Sequence, residues 1–122
     1  HYGGVGSNEG ALRRSPLALA AYQDEAARLS FYPQGDSRAL RAALGAAHQV
    51  EPSRIVCGNG SDDLISLLCY AYTGHGDEVL YSRHGFLLYA IAARAAGATP
   101  VAAPEKDCTA DVDALLAAVT PR

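Results

Sequence analysis

The sequence has 122 residues, of which 49% are hydrophobic and 19% are charged, and its formal net charge is −3. This length suffices for one domain with a modest core, and this composition excludes a disordered chain. Because the ten basic residues are scattered along a chain of negative net charge, we expect neither a nucleic-acid partner nor a membrane-surface patch.

The three cysteines, Cys57, Cys69 and Cys108, are odd in number and show no CxxC spacing. This pattern favours reduced thiols in a cytoplasmic protein over a disulfide framework. The four histidines have no ligand spacing with one another or with the cysteines, so we predict no metal site. No apolar run reaches the roughly 20 residues that a membrane-spanning helix requires.

A first helix is predicted to begin at Ser15-Pro16, with Ser as N-cap and Pro in the first turn, and to end near Leu29. The segment "SFYPQGDS" breaks this helix because its Pro and Gly favour turns. A second helix follows, capped by Asp36 or Ser37, with apolar residues along one face.

Strands and helices alternate after this point. The short apolar run Ile55–Cys57 predicts a strand, and a helix then starts near Ser61 and ends at Gly74. The remaining predicted elements are a strand at Val79–Tyr81, a helix from Phe86 to Ala96 that Gly97 stops, a strand in "ATPVAA", and a helix from Asp111 to Val119. This alternation predicts an α/β fold with a parallel or mostly parallel sheet.

The loop "GNGSD" is the strongest candidate for a binding site. Its glycines permit a tight turn, and the helix behind it offers unpaired N–H groups and a partial positive charge, which together favour an anion. Ser61 adds a hydroxyl donor. The loop has neither a Walker lysine nor the three-glycine spacing of dinucleotide sites, so an ordinary nucleotide site is not predicted.

The same residues also fit a simpler interpretation, which is a helix capped after a tight turn. In that case Ser61 or Asp62 would satisfy the first N–H groups of the helix. Asp62 and Asp63 complement the helix dipole, but they also repel a phosphate. The residue pattern alone leaves the anion site and the capped helix equally open.

A second candidate loop, "YSRHGFLLY", follows a predicted strand, where α/β sheets place their ligands. Phe86 there either lies against a flat ring or is the first core residue of its helix. His84 either has an acid–base role or is simply solvated. Lys106, the only lysine, is interpreted as a surface charge in the polar turn "PEKDC", and Tyr32 as a packing residue or a contact to a partner.

Three segments of this sequence resemble the histidinol-phosphate aminotransferases. "GSNEGALRRSP" is similar to the opening "SSNENPLGPSP" of that family, and "FYPQGDSRALRAALGAAHQVEPSRIVCGNGSDDLISLL" resembles its region "YPDG…ALR…IVLGNGSDELI". The segment from "DEVLYSRHGF" to the end of the chain resembles the next block. This resemblance implies the aspartate-aminotransferase fold of the class I/II aminotransferases, which depend on pyridoxal 5′-phosphate (PLP).

The resemblance also implies roles for individual residues. Gly60, Ser61 and Asp62 match the loop that holds the cofactor phosphate. Phe86 matches the aromatic residue that stacks on the pyridine ring. Tyr32 matches the tyrosine that reaches the phosphate in the neighbouring subunit of a homodimer.

The implied reaction is amino transfer between histidinol phosphate and 2-oxoglutarate in histidine biosynthesis, in the cytoplasm, through a Schiff base with a lysine. The substrates are therefore small molecules. Asn8 and Glu9 match a segment near the substrate side of the site, and this correspondence is the weaker one.

The family's Schiff-base lysine, its Asp partner for the pyridine nitrogen and its carboxylate-binding arginine have no counterpart in this sequence. Lys106 matches no lysine motif of the family. We therefore expect an N-terminal fragment that contains no catalytic residue and is inactive alone. Residues 1–30 would form an N-terminal arm and first helix, and residues 31–122 the first, incomplete portion of the large PLP-binding domain.

Three other interpretations remain. The first is another PLP aminotransferase of the same fold, acting on aromatic or threonine-phosphate-type substrates. The second is a non-catalytic α/β module that binds a phosphate and nothing more. The third is a purely structural domain whose third helix is merely well capped.

Overall fold

The computed structural model describes residues 15–122, which divide after Ser37 into two units, residues 15–37 and 38–122. In the first unit, α1 spans Pro16–Glu25 and a 3-10 turn follows at Ala26–Arg28. Pro16 occupies the first turn as predicted, since it has no N–H to leave unpaired. The side chain of Ser15 makes no capping bond, and the α-helix ends four residues before the predicted Leu29.

The second unit contains a 3-10 turn at Pro52–Arg54 and four α-helices, all of which lie close to their predicted positions. They are α2 at Arg38–His48, α3 at Gly60–Tyr72, α4 at Leu88–Ala95 and α5 at Val112–Ala117. Asp111 caps α5 because its carboxylate accepts a hydrogen bond from the N–H of Ala114 at 3.0 Å. Gly97 has φ +84° and ends the α4 segment, as predicted, in a conformation that glycine adopts without strain.

Two parallel strands form the centre of this unit. β1 spans Glu78–Ser82 and β2 spans Thr99–Ala103, and they pair in register from Glu78 with Thr99 to Ser82 with Ala103. The connection through α4 makes the pair parallel and brings both carboxyl ends to the same edge. The predicted parallel α/β arrangement is confirmed for this β–α–β unit.

The predicted strand Ile55–Cys57 is not part of a sheet in the described chain. Ile55 has extended backbone angles, φ −108° and ψ 127°, but residues 55–57 pair with no strand in the described part of the chain. A short apolar run favours an extended backbone. A strand in a sheet also needs a neighbouring strand to complete its hydrogen bonds. The two parallel strands that the structure describes, β1 and β2, pair with each other.

A short hairpin follows β2 where we predicted only a polar turn. β3 at Glu105–Lys106 pairs antiparallel with β4 at Thr109–Ala110. The two residues between them, Asp107 and Cys108, have φ of 51° and 57°. Positive φ at both central positions is typical of a tight two-residue hairpin turn. The hairpin matters for the site because its first residue, Glu105, lies close to the ends of β1 and β2.

The core of the described chain consists of small side chains. The buried hydrophobic residues are Cys69, Ala90, Ala92, Ala93, Ala98 and Ala103. Small residues at these positions let α4 pack closely on α3, on β1 and on β2. Many larger apolar side chains, among them Leu67, Leu68 and Tyr72 of α3, remain exposed.

Candidate functional site

The first part of the site is the turn into α3, which two glycines make possible. Gly60 has φ +84°, and its N–H donates to the carbonyl of Gly58 at 2.9 Å. A Cβ at Gly58 would lie 2.8 Å from Oδ2 of Asp63 and 3.0 Å from Leu64. A side chain at Gly58 would have to displace those of Asp63 and Leu64, and one at Gly60 would be strained by the positive φ, so the two glycines favour this direct turn into the helix.

No side chain caps the N–H groups of Ser61 and Asp62 at the amino terminus of α3; only the N–H of Asn59 has a side-chain acceptor there. Asn59 occupies the N-cap position without a side-chain bond, and Oδ2 of Asp63 accepts from the N–H of Asn59 at 2.9 Å. The hydroxyl of Ser61 lies 3.5 Å from Oδ1 of Asp62, which is a long contact between exposed side chains. The alternative in which Ser61 or Asp62 caps the helix is therefore not what the structure shows.

An anion fits this set of donors. The open first turn of a 13-residue helix carries backbone N–H groups and the positive end of the dipole, and the exposed Ser61 hydroxyl lies in the same turn. The carboxylate of Asp62 in this turn opposes an anion, while that of Asp63 is engaged by Asn59. Gly60, Ser61 and Asp62 form one exposed turn; the N–H of Gly60 is bonded to Gly58, so the open donors are the N–H groups of Ser61 and Asp62 and the hydroxyl of Ser61.

The second part of the site is the loop between β1 and α4. The N–H of Gly85 donates to the carbonyl of Ser82 at 2.8 Å. A Cβ at Gly85 would lie 2.8 Å from that same carbonyl oxygen and 3.2 Å from the ring of Tyr89. The loop is therefore a tight turn that only glycine fits, and it leads directly to Phe86.

Phe86 is not a core residue of α4. It precedes the helix by two positions and is 48% exposed. Its ring meets Tyr89 edge to face, with centroids 6.2 Å apart, and Tyr89 in turn lies 6.1 Å from Tyr81. One edge contact thus holds the ring while much of its surface stays open, an arrangement suited to receiving another flat ring.

A hydrogen-bonded cluster at the same edge of the sheet was missed by the sequence interpretation. Oε1 of Glu105 accepts from the hydroxyl of Ser82 at 2.5 Å and from the N–H of His84 at 2.9 Å, and Oε2 lies 2.7 Å from Nδ1 of His84. The bonds from Ser82 and His84 lower the pKa of Glu105 to about 2. His84 is thus not merely a solvated loop residue, although its side chain is 64% exposed.

A signal for this cluster was present in the sequence. Ser82 and His84 directly follow one predicted strand, and Glu105 comes shortly after the next. Since the carboxyl ends of parallel strands share an edge, a carboxylate and a histidine at these positions are expected to meet. The polar turn around Lys106 obscured this signal, and Lys106 itself is exposed on β3.

The remaining candidate residues lie elsewhere. Tyr32 belongs to the first unit, between its 3-10 turn and α2, and is fully exposed. Asn8 and Glu9 lie outside the described residues. Within residues 15–122, no group of three or more His, Cys, Asp or Glu side chains is arranged to hold a metal ion. In the same range, no helix combines the length and apolar character needed to cross a membrane.

Fold and site together define a class of protein. The described chain combines a parallel β–α–β unit, an exposed aromatic ring in the loop after its first strand, and a separate helix, α3, with an open amino terminus. These features are typical of α/β enzymes that bind phosphorylated ligands. Residues 4–122 match the family described as aminotransferase class I and II. The chain therefore belongs to the class I and II aminotransferases.

Individual relatives agree with this assignment. The chain is 61% identical over 118 residues to a histidinol-phosphate aminotransferase of Paramagnetospirillum magneticum, covering 97% of this chain and 32% of that protein. It is 57% identical over 118 residues to the one from Rhodospirillum centenum, covering 97% of this chain and 33% of that protein. The chain spans about a third of the length of these curated relatives.

A solved structure shows the same fold. The crystal structure of histidinol-phosphate aminotransferase from Sinorhizobium meliloti, in complex with pyridoxal-5′-phosphate, matches with a TM-score of 0.87 and 26% sequence identity. The match covers 93% of this chain and 31% of that one. The aspartate-aminotransferase-like α/β fold implied by the resemblance is thereby confirmed, for the N-terminal part of such a chain.

Proposed function

We propose that the polypeptide carrying these 122 residues is a PLP-dependent aminotransferase, and that this segment supplies part of its cofactor site. The observation that carries the proposal is the open amino terminus of α3, where Ser61 and its neighbours offer donors to an anion and no side chain caps the helix. Family membership supports the phosphate of PLP as that anion.

Each candidate residue has a defined task in this proposal. Gly60 makes the turn that exposes the N–H groups of Ser61 and Asp62, and these groups and the hydroxyl of Ser61 bind the phosphate, with the helix dipole favouring its charge. Phe86 receives one face of the pyridine ring. Tyr32, exposed in the first unit, reaches the phosphate of the neighbouring subunit in a homodimer. When bound, PLP supplies the electron sink for amino transfer, while these residues bind and orient it.

The proposed substrates are histidinol phosphate and 2-oxoglutarate, in the cytoplasm. Both relatives compared above carry the name histidinol-phosphate aminotransferase, and both are more than half identical to this chain. Asn8 is proposed to lie on the substrate side. The covalent step requires a lysine outside these residues, because Lys106, the only lysine, lies on the exposed strand of the β3–β4 hairpin.

The phosphate assignment is tested by Ser61→Ala in the full-length protein. Loss of a hydrogen bond to a charged phosphate costs about 1–3 kcal/mol, so the dissociation constant of PLP should rise about 5- to 150-fold. The matched control is Ser66→Ala, because Ser66 lies further along α3 and its hydroxyl donates instead to the carbonyl of Asp62 at 2.9 Å. Ser66→Ala should bind PLP as the wild type does.

Absorbance titration of the apoprotein with PLP measures both constants. Equal affinities of Ser61→Ala and wild type would contradict the phosphate assignment.

Steady-state assays of the full-length protein with histidinol phosphate, an aromatic amino acid and threonine phosphate as donors then test the substrate. A preference for either of the latter two would replace histidinol phosphate, and PLP binding without turnover would favour a non-catalytic module.

A further inference from the structure

The side chain of Glu105 links the carboxyl ends of β1 and β2. No other described side chain links them in this way. β1 ends at Ser82 and β2 ends at Ala103, and Glu105 opens the hairpin that follows β2. Its side chain is only 7% exposed, although it carries a carboxylate. A carboxylate so far withdrawn from water needs hydrogen-bond donors, and all of its donors come from the β1 side.

Three hydrogen bonds satisfy this carboxylate. The hydroxyl of Ser82 and the backbone N–H of His84 donate to Oε1, and Nδ1 of His84 lies within bonding distance of Oε2. Bonds to an ionised acceptor are about twice as strong as neutral ones, and here they fix both backbone and side chains. The segment from Ser82 to His84 is therefore held at its backbone as well as at its side chains.

This fixed segment sets the position of Phe86. Gly85 follows His84 directly, in a turn closed by its bond to the carbonyl of Ser82. Beyond it, Phe86 is held by its edge contact with Tyr89. The ring is therefore held from two sides, by the Glu105 bonds on the β1 side and by Tyr89 on the α4 side.

We propose that Glu105 is a positioning residue for Phe86, and through Phe86 for a planar cofactor ring. Glu105 is not itself a catalytic residue, since its carboxylate is used by Ser82 and His84. The inference rests on the proposed function for the ring that Phe86 receives. The hydrogen-bonded cluster itself is a feature of the fold and does not depend on that function.

The test compares Glu105→Ala, Phe86→Leu and the double variant in the full-length protein. Loss of the ordered loop in Glu105→Ala should raise the dissociation constant of PLP about tenfold, a change of about 1.4 kcal/mol. It should also weaken the visible circular dichroism of bound PLP at saturation, which reports how the ring is held. Because Glu105 acts through Phe86, the double variant should bind PLP no more weakly than Phe86→Leu alone.

Two further variants complete the experiment. Lys106→Ala changes the adjacent exposed residue of β3 and should bind PLP within about twofold of wild type. Glu105→Gln keeps the shape and one acceptor oxygen, and should recover most of the affinity and circular dichroism. If Glu105→Ala fails to fold, Glu105→Gln replaces it in the comparison of single and double variants. Its affinity for PLP should fall about threefold, and adding Glu105→Gln to Phe86→Leu should again weaken PLP binding no further.

Different results identify different failures. A wild-type protein that binds no PLP refutes the proposed function, and this inference with it. A wild type that binds PLP, with Glu105→Ala equal to it in affinity and circular dichroism, refutes the positioning role alone. The positioning role is also refuted if the affinity losses of Glu105→Ala and Phe86→Leu multiply in the double variant. That result would show that Glu105 supports the fold without acting through Phe86.

Discussion

Among residues 15–122, the carboxylate of Glu105 is the group whose ionisation is most strongly tied to the fold. Its pKa falls from an ordinary 4.5 to about 2, first because the hydroxyl of Ser82 donates to it and then because His84 does. A carboxyl group whose pKa is lower in the folded than in the unfolded state stabilises the fold when ionised. This stabilisation is fully present above pH 4.5 and is lost as the pH falls toward 2.

Acidification of the full-length protein should therefore separate the wild type from Glu105→Gln. The urea midpoint of the wild type should exceed that of Glu105→Gln at pH 7, and the difference should shrink between pH 4.5 and 2, because the glutamine does not titrate. Lys106→Ala keeps the carboxylate and should follow the wild-type profile. A difference that stays constant down to pH 2 would show that Glu105 does not contribute through its charge.

Residues differ in how far the sequence predicted their roles. Ser61 and Phe86 stand in contiguous motifs, "GNGSD" and "HGF", so local pattern and family resemblance locate them together with their elements. Glu105 is 21 residues from His84 and meets it only because β1 and β2 pair in parallel. A contact that depends on strand register is invisible to local pattern, which is why the cluster was missed.

At the scale of elements, the turn from β1 into α4 depends on the absence of a side chain at Gly85. In Gly85→Ala the new Cβ would lie 2.8 Å from the carbonyl oxygen of Ser82, which is backbone and cannot rotate away. The loop must then shift, and we expect a loss of about 1–3 kcal/mol in stability together with weaker PLP binding, since Phe86 follows directly.

Gly35→Ala is the matched control for this substitution. A Cβ at Gly35 meets nothing within 4 Å, so the change should leave thermal stability within about 0.5 kcal/mol of wild type or raise it slightly. Thermal unfolding and PLP titration of both full-length variants provide the comparison. If Gly85→Ala melts and binds PLP as Gly35→Ala does, the turn tolerates a side chain and the close contact is not limiting.

The elements that the sequence predicted well are those whose signals are local. α3, α4, β1 and β2 follow from apolar periodicity and from Gly97, and their observed bounds differ from the predicted ones by about one or two residues. Ile55–Cys57 has the same apolar signal but no partner strand, so extended backbone did not become sheet. The β3–β4 hairpin has only two residues on each side, too few for any periodicity to show.

At the scale of the molecule, the described chain leaves many large apolar side chains uncovered. Its buried hydrophobic residues are alanines and one cysteine, whereas the exposed apolar residues include Phe31, Leu68 and Tyr72. Its parallel sheet has only two strands, each with an edge free of backbone partners among the described residues. Burial of small side chains alone supplies little hydrophobic stabilisation. Unpaired strand edges can form hydrogen bonds with another chain and so promote association.

The 122-residue chain expressed alone should therefore be marginally stable and should self-associate. Size-exclusion chromatography should show species larger than a monomer, and binding of a hydrophobic dye should exceed that of the full-length protein. It should also catalyse no amino transfer from histidinol phosphate to 2-oxoglutarate, because its one lysine, Lys106, is exposed on β3 and matches no lysine motif of the family. Lys106→Ala separates the two possible origins of any residual activity. Turnover that survives this substitution would show that no lysine of the chain is needed, and turnover abolished by it would make Lys106 the nucleophile; either result would contradict the inactivity expected here.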